Sequence, residues 1–321
     1  SHYDTQGHDF AQYDSDGDGE IDYFLVFWTG PHQEWAEFWW GYQRSFEDAS
    51  FTVDGVGLGD YSWQWEAWDW PGTFSARVAI HETGHALGLP DYYDYDDSVG
   101  PQGGVGGLDM MDANRGDHNC FSKYALGWTT PDVFNQGAHE VVLAPSDASA
   151  GAALLMHGEP VADPYGEYFM VQHRRRQGND ANLPTDGLLV WHVDARLFER
   201  GGFLYDNSYT DHKLLRLLEA DGLEEIEQGM GADAGDFYRP GTVLDSATTP
   251  SSHRYDGAPT NLVIDGIADT DGSMSFAADL GSGCAIFCDA AVSRTGWTGR
   301  RVSFVGEAML ANCDGQASFE W

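Results

Sequence analysis

Eleven consecutive residues, His81-Glu82-Thr83-Gly84-His85-Ala86-Leu87-Gly88-Leu89-Pro90-Asp91, hold three metal-ligand candidates and a carboxylate that could act as a base. Histidines four apart on a helix share one face, so the His81 and His85 imidazoles can grip one tetrahedral Zn²⁺. Val78, Ile80 and Leu87 supply apolar helical positions, Ser75 is the expected N-cap, and Gly88 suits a left-handed residue that ends the helix. The reversal at Gly88 lets Asp91 fold back as third ligand; Asp94 competes, but the spacing from Gly88 favours Asp91. A catalytic zinc keeps one position for water, lowers its pKa towards ~7, and works with a carboxylate that accepts the proton, the role Glu82 is placed for. With 12 His and 16 Glu in 321 residues, the His-Glu-His pattern alone is expected by chance roughly 0.02 times per chain; requiring Gly88 and Asp91 lowers this to on the order of 0.0003. A zinc endopeptidase acting on protein or peptide chains is therefore the first expectation.

A second constellation is Asp14-Ser15-Asp16-Gly17-Asp18-Gly19-Glu20-Ile21-Asp22. Carboxylates at loop positions 1, 3, 5 and 9, a glycine at 6 and an apolar residue at 8 match the oxygen cage of an EF-hand-like loop, whereas position 12 is Leu25. The next residues, Tyr23 to Trp28, read as a buried strand and not as a helix. The expectation is a structural Ca²⁺ loop drawing on Asp14, Asp16, Asp18, Glu20 and Asp22. The acidic run Asp91, Asp94, Asp96, Asp97 offers either another Ca²⁺ site or a solvated loop.

Other residues carry weaker signals. His118 could donate to the oxyanion of a tetrahedral intermediate, but it precedes a predicted helix that Asp117 or Asn119 could cap, and the structural role is favoured. His192 alternates with Val190 and Asp194 against Leu189, Trp191 and Val193, the pattern of a two-faced strand rather than a metal site. Trp35, Trp39, Trp40, Trp63, Trp65, Trp68 and Trp70 could line a cleft but more simply pack core and rim. Gly55, Gly57 and Gly59 punctuate strands there, one of which is expected to be an edge along which an extended peptide could pair.

Composition sets the setting. At 42% hydrophobic and 14% aromatic the chain can bury a substantial core in two or three domains. Its formal net charge of −36 excludes nucleic acid as a partner, because phosphate repulsion would dominate. No apolar run reaches the ~20 residues of a membrane span. Neither a signal peptide nor an initiator methionine is visible, so a processed chain is expected. Cys120, Cys284, Cys288 and Cys313 permit three pairings if all are oxidised.

The zinc segment resembles the metzincin clan of zinc peptidases, whose elongated motif turns at the glycine matching Gly88 and takes its third ligand three residues on; Asp91 there is similar to the immune inhibitor A-like secreted metalloproteases. The clan's methionine beneath the metal corresponds best to Met111, with Met110 as alternative. Asp14 to Gly30, Asp91-Tyr92-Tyr93-Asp94, Gly116 to Trp128, and a later region around Gly166 to Arg176, Gly187 to Asp194, Glu219 to Gly222 and Gly235-Asp236 extend the resemblance over roughly residues 10 to 280. Where many relatives have Glu-Asn before the arginine, this chain has Gln172-His173, which leaves any ligand role there open.

The resemblance implies an α+β fold: a metzincin-like zinc peptidase domain over 1–130, a β-rich, sandwich-like domain over 131–281, and the start of an immunoglobulin/PKD-like module over 282–321. It also implies secretion, and a strand and helix ahead of the calcium loop; thirteen residues precede Asp14, so those elements are expected on a removed upstream pro-segment or to associate from elsewhere. The competing function class is a calcium-stabilised extracellular binding or adhesion module with a vestigial protease site. An intact Glu82 favours the peptidase, since a scaffold needs no base beside its ligands.

Overall fold

A computed structural model describes residues 2–31, 40–67, 74–96, 98, 104–146, 151–155, 163–208, 211–281, 285–294 and 302–311. These residues form a mixed α and β structure with few helices and several small sheets. The chain divides into two compact units, Ser1–Asp91 with Ala113–Arg115, and Tyr92–Asp112 with Gly116–Trp321.

In the first unit the strands β1 (Phe24–Pro31), β2 (Tyr42–Ser45) and β3 (Asp60–Ala67) form one sheet in the order β1-β3-β2, and the helix α1 (Arg77–Ala86) packs on β2 and β3. The pairing of β3 is parallel to β1 and antiparallel to β2. Central β3 carries the buried Trp63, Gln64 and Trp65. Trp40 is exposed at the rim and meets the Trp65 ring edge-on at 4.9 Å; Trp35, Trp39, Trp68 and Trp70 lie outside the described residues.

Of the strands on either side of the glycine turns, β3 is central, because it pairs on both sides, and β2 is at the edge of the sheet among the described residues. The expected buried strand after the Asp14–Asp22 loop is corrected: it forms as β1, but Val26, Phe27 and Trp28 are exposed among the described residues, and Ile21 ahead of it enters the core.

The second unit holds α2 (Met110–Ala113, whose last residue is counted with the first unit), α3 (Cys120–Ala125), and the strands β4 (Asp132–Phe134), β5 (Ala138–Leu143), β6 (Ala152–Leu155), β7 (Glu167–Arg174), β8 (Gly187–Asp194), β9 (Leu215–Leu218), β10 (Val263–Thr270) and β11 (Ser273–Asp279). Sheet β4-β6-β7-β8-β9 and sheet β10-β11-β5 share one core: Phe169, Val171, Leu188 and Val190 of the first meet Val141, Leu143, Ile264 and Phe276 of the second. All eight residues of β8 are buried, so the alternation around His192 separates two covered faces instead of one covered and one wet. Beyond residue 282, β12 (Ala285–Arg294) and β13 (Val302–Ala311) pair as an antiparallel ribbon.

Candidate metal centre

The helix bearing the two histidines starts differently from the local expectation. Its cap residue is Ala76, already helical at φ −78°, ψ 0°, with no side-chain hydrogen bond of its own. The orphan amide of Ala79 instead donates at 2.7 Å to Gln64 Oε1, and Gln64 Nε2 donates at 3.1 Å to the Ser75 carbonyl. A strand residue thus caps the helix, and Ser75 contributes only its backbone. The other end is as expected: Gly88 adopts φ +96°, and Leu89 N–H reaches back to Gly84 O at 2.9 Å.

That reversal brings Asp91 to the histidines. Asp91 Oδ1 lies 2.8 Å from His81 Nε2 and 3.3 Å from His85 Nε2, and the three residues form a potential metal-ligating group. Ligands ~2.0–2.1 Å from a tetrahedral zinc are roughly 3.3 Å apart, so this donor set of two imidazoles and a carboxylate suits Zn²⁺. His85 Nδ1–H donates to Leu89 O at 2.8 Å, which fixes its tautomer and turns Nε2 towards Asp91. Thr83 Oγ1 bonds the Ala79 carbonyl and the Tyr23 hydroxyl, pinning the helix between its ligands. Asp94 is not in the group; its Oδ1 accepts from Asp96 N.

Glu82 is 6% exposed and sits in the field of all three ligands. Burial raises its pKa against the opposing pull of His81 and His85, making it a better proton acceptor than a surface carboxylate. For Asp91, burial alone would raise the pKa, but hydrogen bonds from His81 and His85 outweigh it and keep the carboxyl ionised below its ordinary range. Compared with known proteins, the chain matches no family model, no curated protein and no solved structure. Functional assignment therefore rests on the site itself.

In the acidic loop expected to hold Ca²⁺ the structure gathers Asp14, Asp16 and Asp18. Asp14 accepts from the Gly17 and Gly19 amides at 2.8 and 3.1 Å. Glu20 and Asp22 are not part of that group: Glu20 pairs its backbone with Gly57, and Asp22 turns to the amide and hydroxyl of Ser15. Of the five expected carboxylates the structure thus brings three together, and Asp22 instead closes the base of the loop. Of the acidic run after Asp91, Asp97 lies outside the described residues.

The remaining candidates belong to the second unit. Met111 is fully buried; its amide donates to Asp109 Oδ1 at 2.6 Å, and its carbonyl accepts from the amide of Tyr92 at 3.0 Å. Buried His118 packs edge-on against Trp128 at 5.7 Å, and its neighbour Asn119 caps α3 by accepting from Ser122 N at 2.9 Å. Gln172 is structural: its Oε1 accepts from Cys120 N and from Trp191 Nε1. His192 is buried between the rings of Phe169 and Tyr255 at 4.4 and 4.0 Å and hydrogen-bonds Glu167. Cys120 is buried and forms no disulfide among the described residues.

Sequence reasoning missed Gln64 and Arg174. The fully buried Arg174 grips Asp180 through Nε at 2.6 Å and through a second nitrogen, and donates to Leu108 O at 3.2 Å. Asp180 in turn accepts from Asp117 N, so one ion pair holds both ends of the 108–117 loop carrying Met111. No local pattern announces these roles, since Gln64 reaches Ser75 and Ala79 and Arg174 reaches the Leu108 carbonyl far along the chain.

Proposed function

We propose that this chain is a zinc-dependent endopeptidase of the metzincin type, similar to the immune inhibitor A-like secreted proteases, cutting peptide bonds in protein substrates. The observation that carries the reading is the meeting of His81 Nε2, His85 Nε2 and Asp91 Oδ1 beside a buried Glu82. Bound Zn²⁺ would supply a Lewis acid for the scissile carbonyl and a water of lowered pKa. His81, His85 and Asp91 would hold the ion, and the Leu89 carbonyl orients His85. Glu82 accepts the proton of the attacking water and passes it to the leaving amine; its raised proton affinity suits both transfers. The same reading brings a secreted setting, a structural Ca²⁺ at Asp14, Asp16 and Asp18, and a sandwich-like second domain built on the shared core of the two larger sheets.

The test is casein or gelatin hydrolysis by the wild-type chain and by Glu82→Ala, with zinc content measured in both. The expected outcome is one zinc in each and a loss of at least ~10²-fold in rate for the variant. Equal residual activity in both, with zinc bound, sinks the peptidase mechanism and leaves the calcium-stabilised binding module.

A further inference from the structure

The loop that leaves β9 gathers five carboxylates, of which Glu219 and Asp236 are buried. Glu219, Asp221 and Asp236 each place a carboxylate oxygen within 4.8 Å of the others, and Asp221, Glu225 and Asp233 form a second group that shares Asp221. Several of these oxygens already serve the backbone. Asp221 Oδ1 accepts from Leu223 N at 3.0 Å, Asp236 Oδ2 from Asp233 N at 2.6 Å, and Glu219 from the Glu225 and Ile226 amides at 2.7 and 3.1 Å.

What those bonds leave over points to a ligand. Asp236 is only 1% exposed, yet its Oδ1 is buried with no hydrogen-bond partner. A buried carboxylate oxygen without a partner is costly, and such groups normally pair or coordinate a metal. Asp221 Oδ2 turns inward over Gly235, so closely that a Cβ on that glycine would meet it at 2.2 Å, with Asp233 Oδ1 3.0 Å from the same point. Glycine there lets carboxylates converge on the backbone just before Asp236.

We propose that Glu219, Asp221 and Asp236 form a Ca²⁺ site, distinct from both the Asp14 loop and the His81-His85-Asp91 centre. The donors are all hard oxygens on an irregular loop, with no nitrogen or sulfur to favour zinc. Ca²⁺ tolerates such geometry and completes six to eight ligands with carbonyls and water, whereas Mg²⁺ demands a near-ideal octahedron. The ion ties the end of β9 to the stretch where Tyr238 pairs with Leu188 of β8. Between these points Ala232 N donates to Gly106 O at 2.8 Å, and Lys213 bridges Glu227 and Gly104 O. The site therefore stabilises the support of the Gly104–Asp112 turn.

Equilibrium dialysis against Ca²⁺ tests this on the full chain with zinc held constant, comparing wild type, Asp221→Asn and Asp16→Asn. Asp221 is exposed, so the substitution spares the core. The expected result is one Ca²⁺ fewer per chain in Asp221→Asn than in wild type, a smaller Ca²⁺-induced rise in Tm, and retention of this ion in Asp16→Asn. Equal Ca²⁺ stoichiometry in wild type and Asp221→Asn, or no Ca²⁺ bound to wild type, overturns the proposal. Hydrogen exchange on the wild type provides a second measurement that needs no variant. Ca²⁺ should slow exchange of amides in residues 219–236, and unchanged rates there overturn the proposal.

Discussion

Gln64 Oε1 accepts the Ala79 amide at 2.7 Å, so the central strand of the first unit caps the helix that carries both histidine ligands. The helix cannot shift along its axis without breaking this bond, and the ligands are positioned from the sheet. Gln64→Ala should cost about 1–2 kcal/mol, the range for a lost cap with a buried donor left unmet. Zinc affinity should fall with it although every ligand remains. Unfolding in urea and a competitive zinc titration check both; unchanged values in both would mean that the cap positions nothing.

Asp91 is the candidate ligand that the Gly88 reversal delivers to the histidines. Asp91→Ala should weaken zinc binding by more than the ~10–100-fold typical of losing an outer-shell partner. The ordinary metzincin residue is the informative replacement, and Asp91→His should recover part of the affinity. Chelator competition measures both variants, and wild-type affinity in Asp91→Ala would remove Asp91 from the ligand set.

Breaking the Arg174 grip should be expensive. With Arg174 replaced by Met, Asp180 keeps a buried charge whose remaining bond is to the Asp117 amide, and the expected loss is ~3–5 kcal/mol. The double variant Arg174→Met/Asp180→Leu should lose less than the sum of the singles, because no charge is stranded. A double-mutant cycle from denaturant melts gives the coupling, and additivity would show that the pair is not an energetic unit.

Acid should loosen the second unit through Glu167. Burial alone would raise its pKa, but the hydrogen bond with His192, the Tyr255 amide and the Arg254 charge outweigh burial and hold it at about 2, below its ordinary 4.5. A depressed carboxylate contributes stability that is present above its unfolded value and disappears as pH falls through the folded one. Stability should therefore drop between about pH 4.5 and 2, and Glu167→Gln should flatten that slope. Thermal melts across this range decide it; parallel curves for the two proteins would place the acid sensitivity elsewhere.

Much of the candidate site was legible because its geometry is local. His81, Glu82 and His85 lie within one helical stretch, and Gly88 must take a left-handed turn before Asp91 can return, so eleven residues nearly dictate their own arrangement. Pairing across the chain was not legible. That β3 would be central, that β1 would stay exposed, and that Gln64 instead of Ser75 would cap the helix depend on which strands meet, and one residue's hydrogen-bonding types do not name a partner fifteen positions away.

The sequence by itself determined that His81, His85 and Asp91 come together, since short-range helical periodicity and the left-handed Gly88 leave few alternatives. Only the tertiary structure decided which acidic residues act together. It reduced the Asp14 loop to three carboxylates by turning Asp22 to Ser15, and it assembled Glu219, Asp221 and Asp236 from the two ends of a long loop. Carboxylates are abundant in this chain, and proximity, burial and the absence of a hydrogen-bond partner arise only once distant segments are packed.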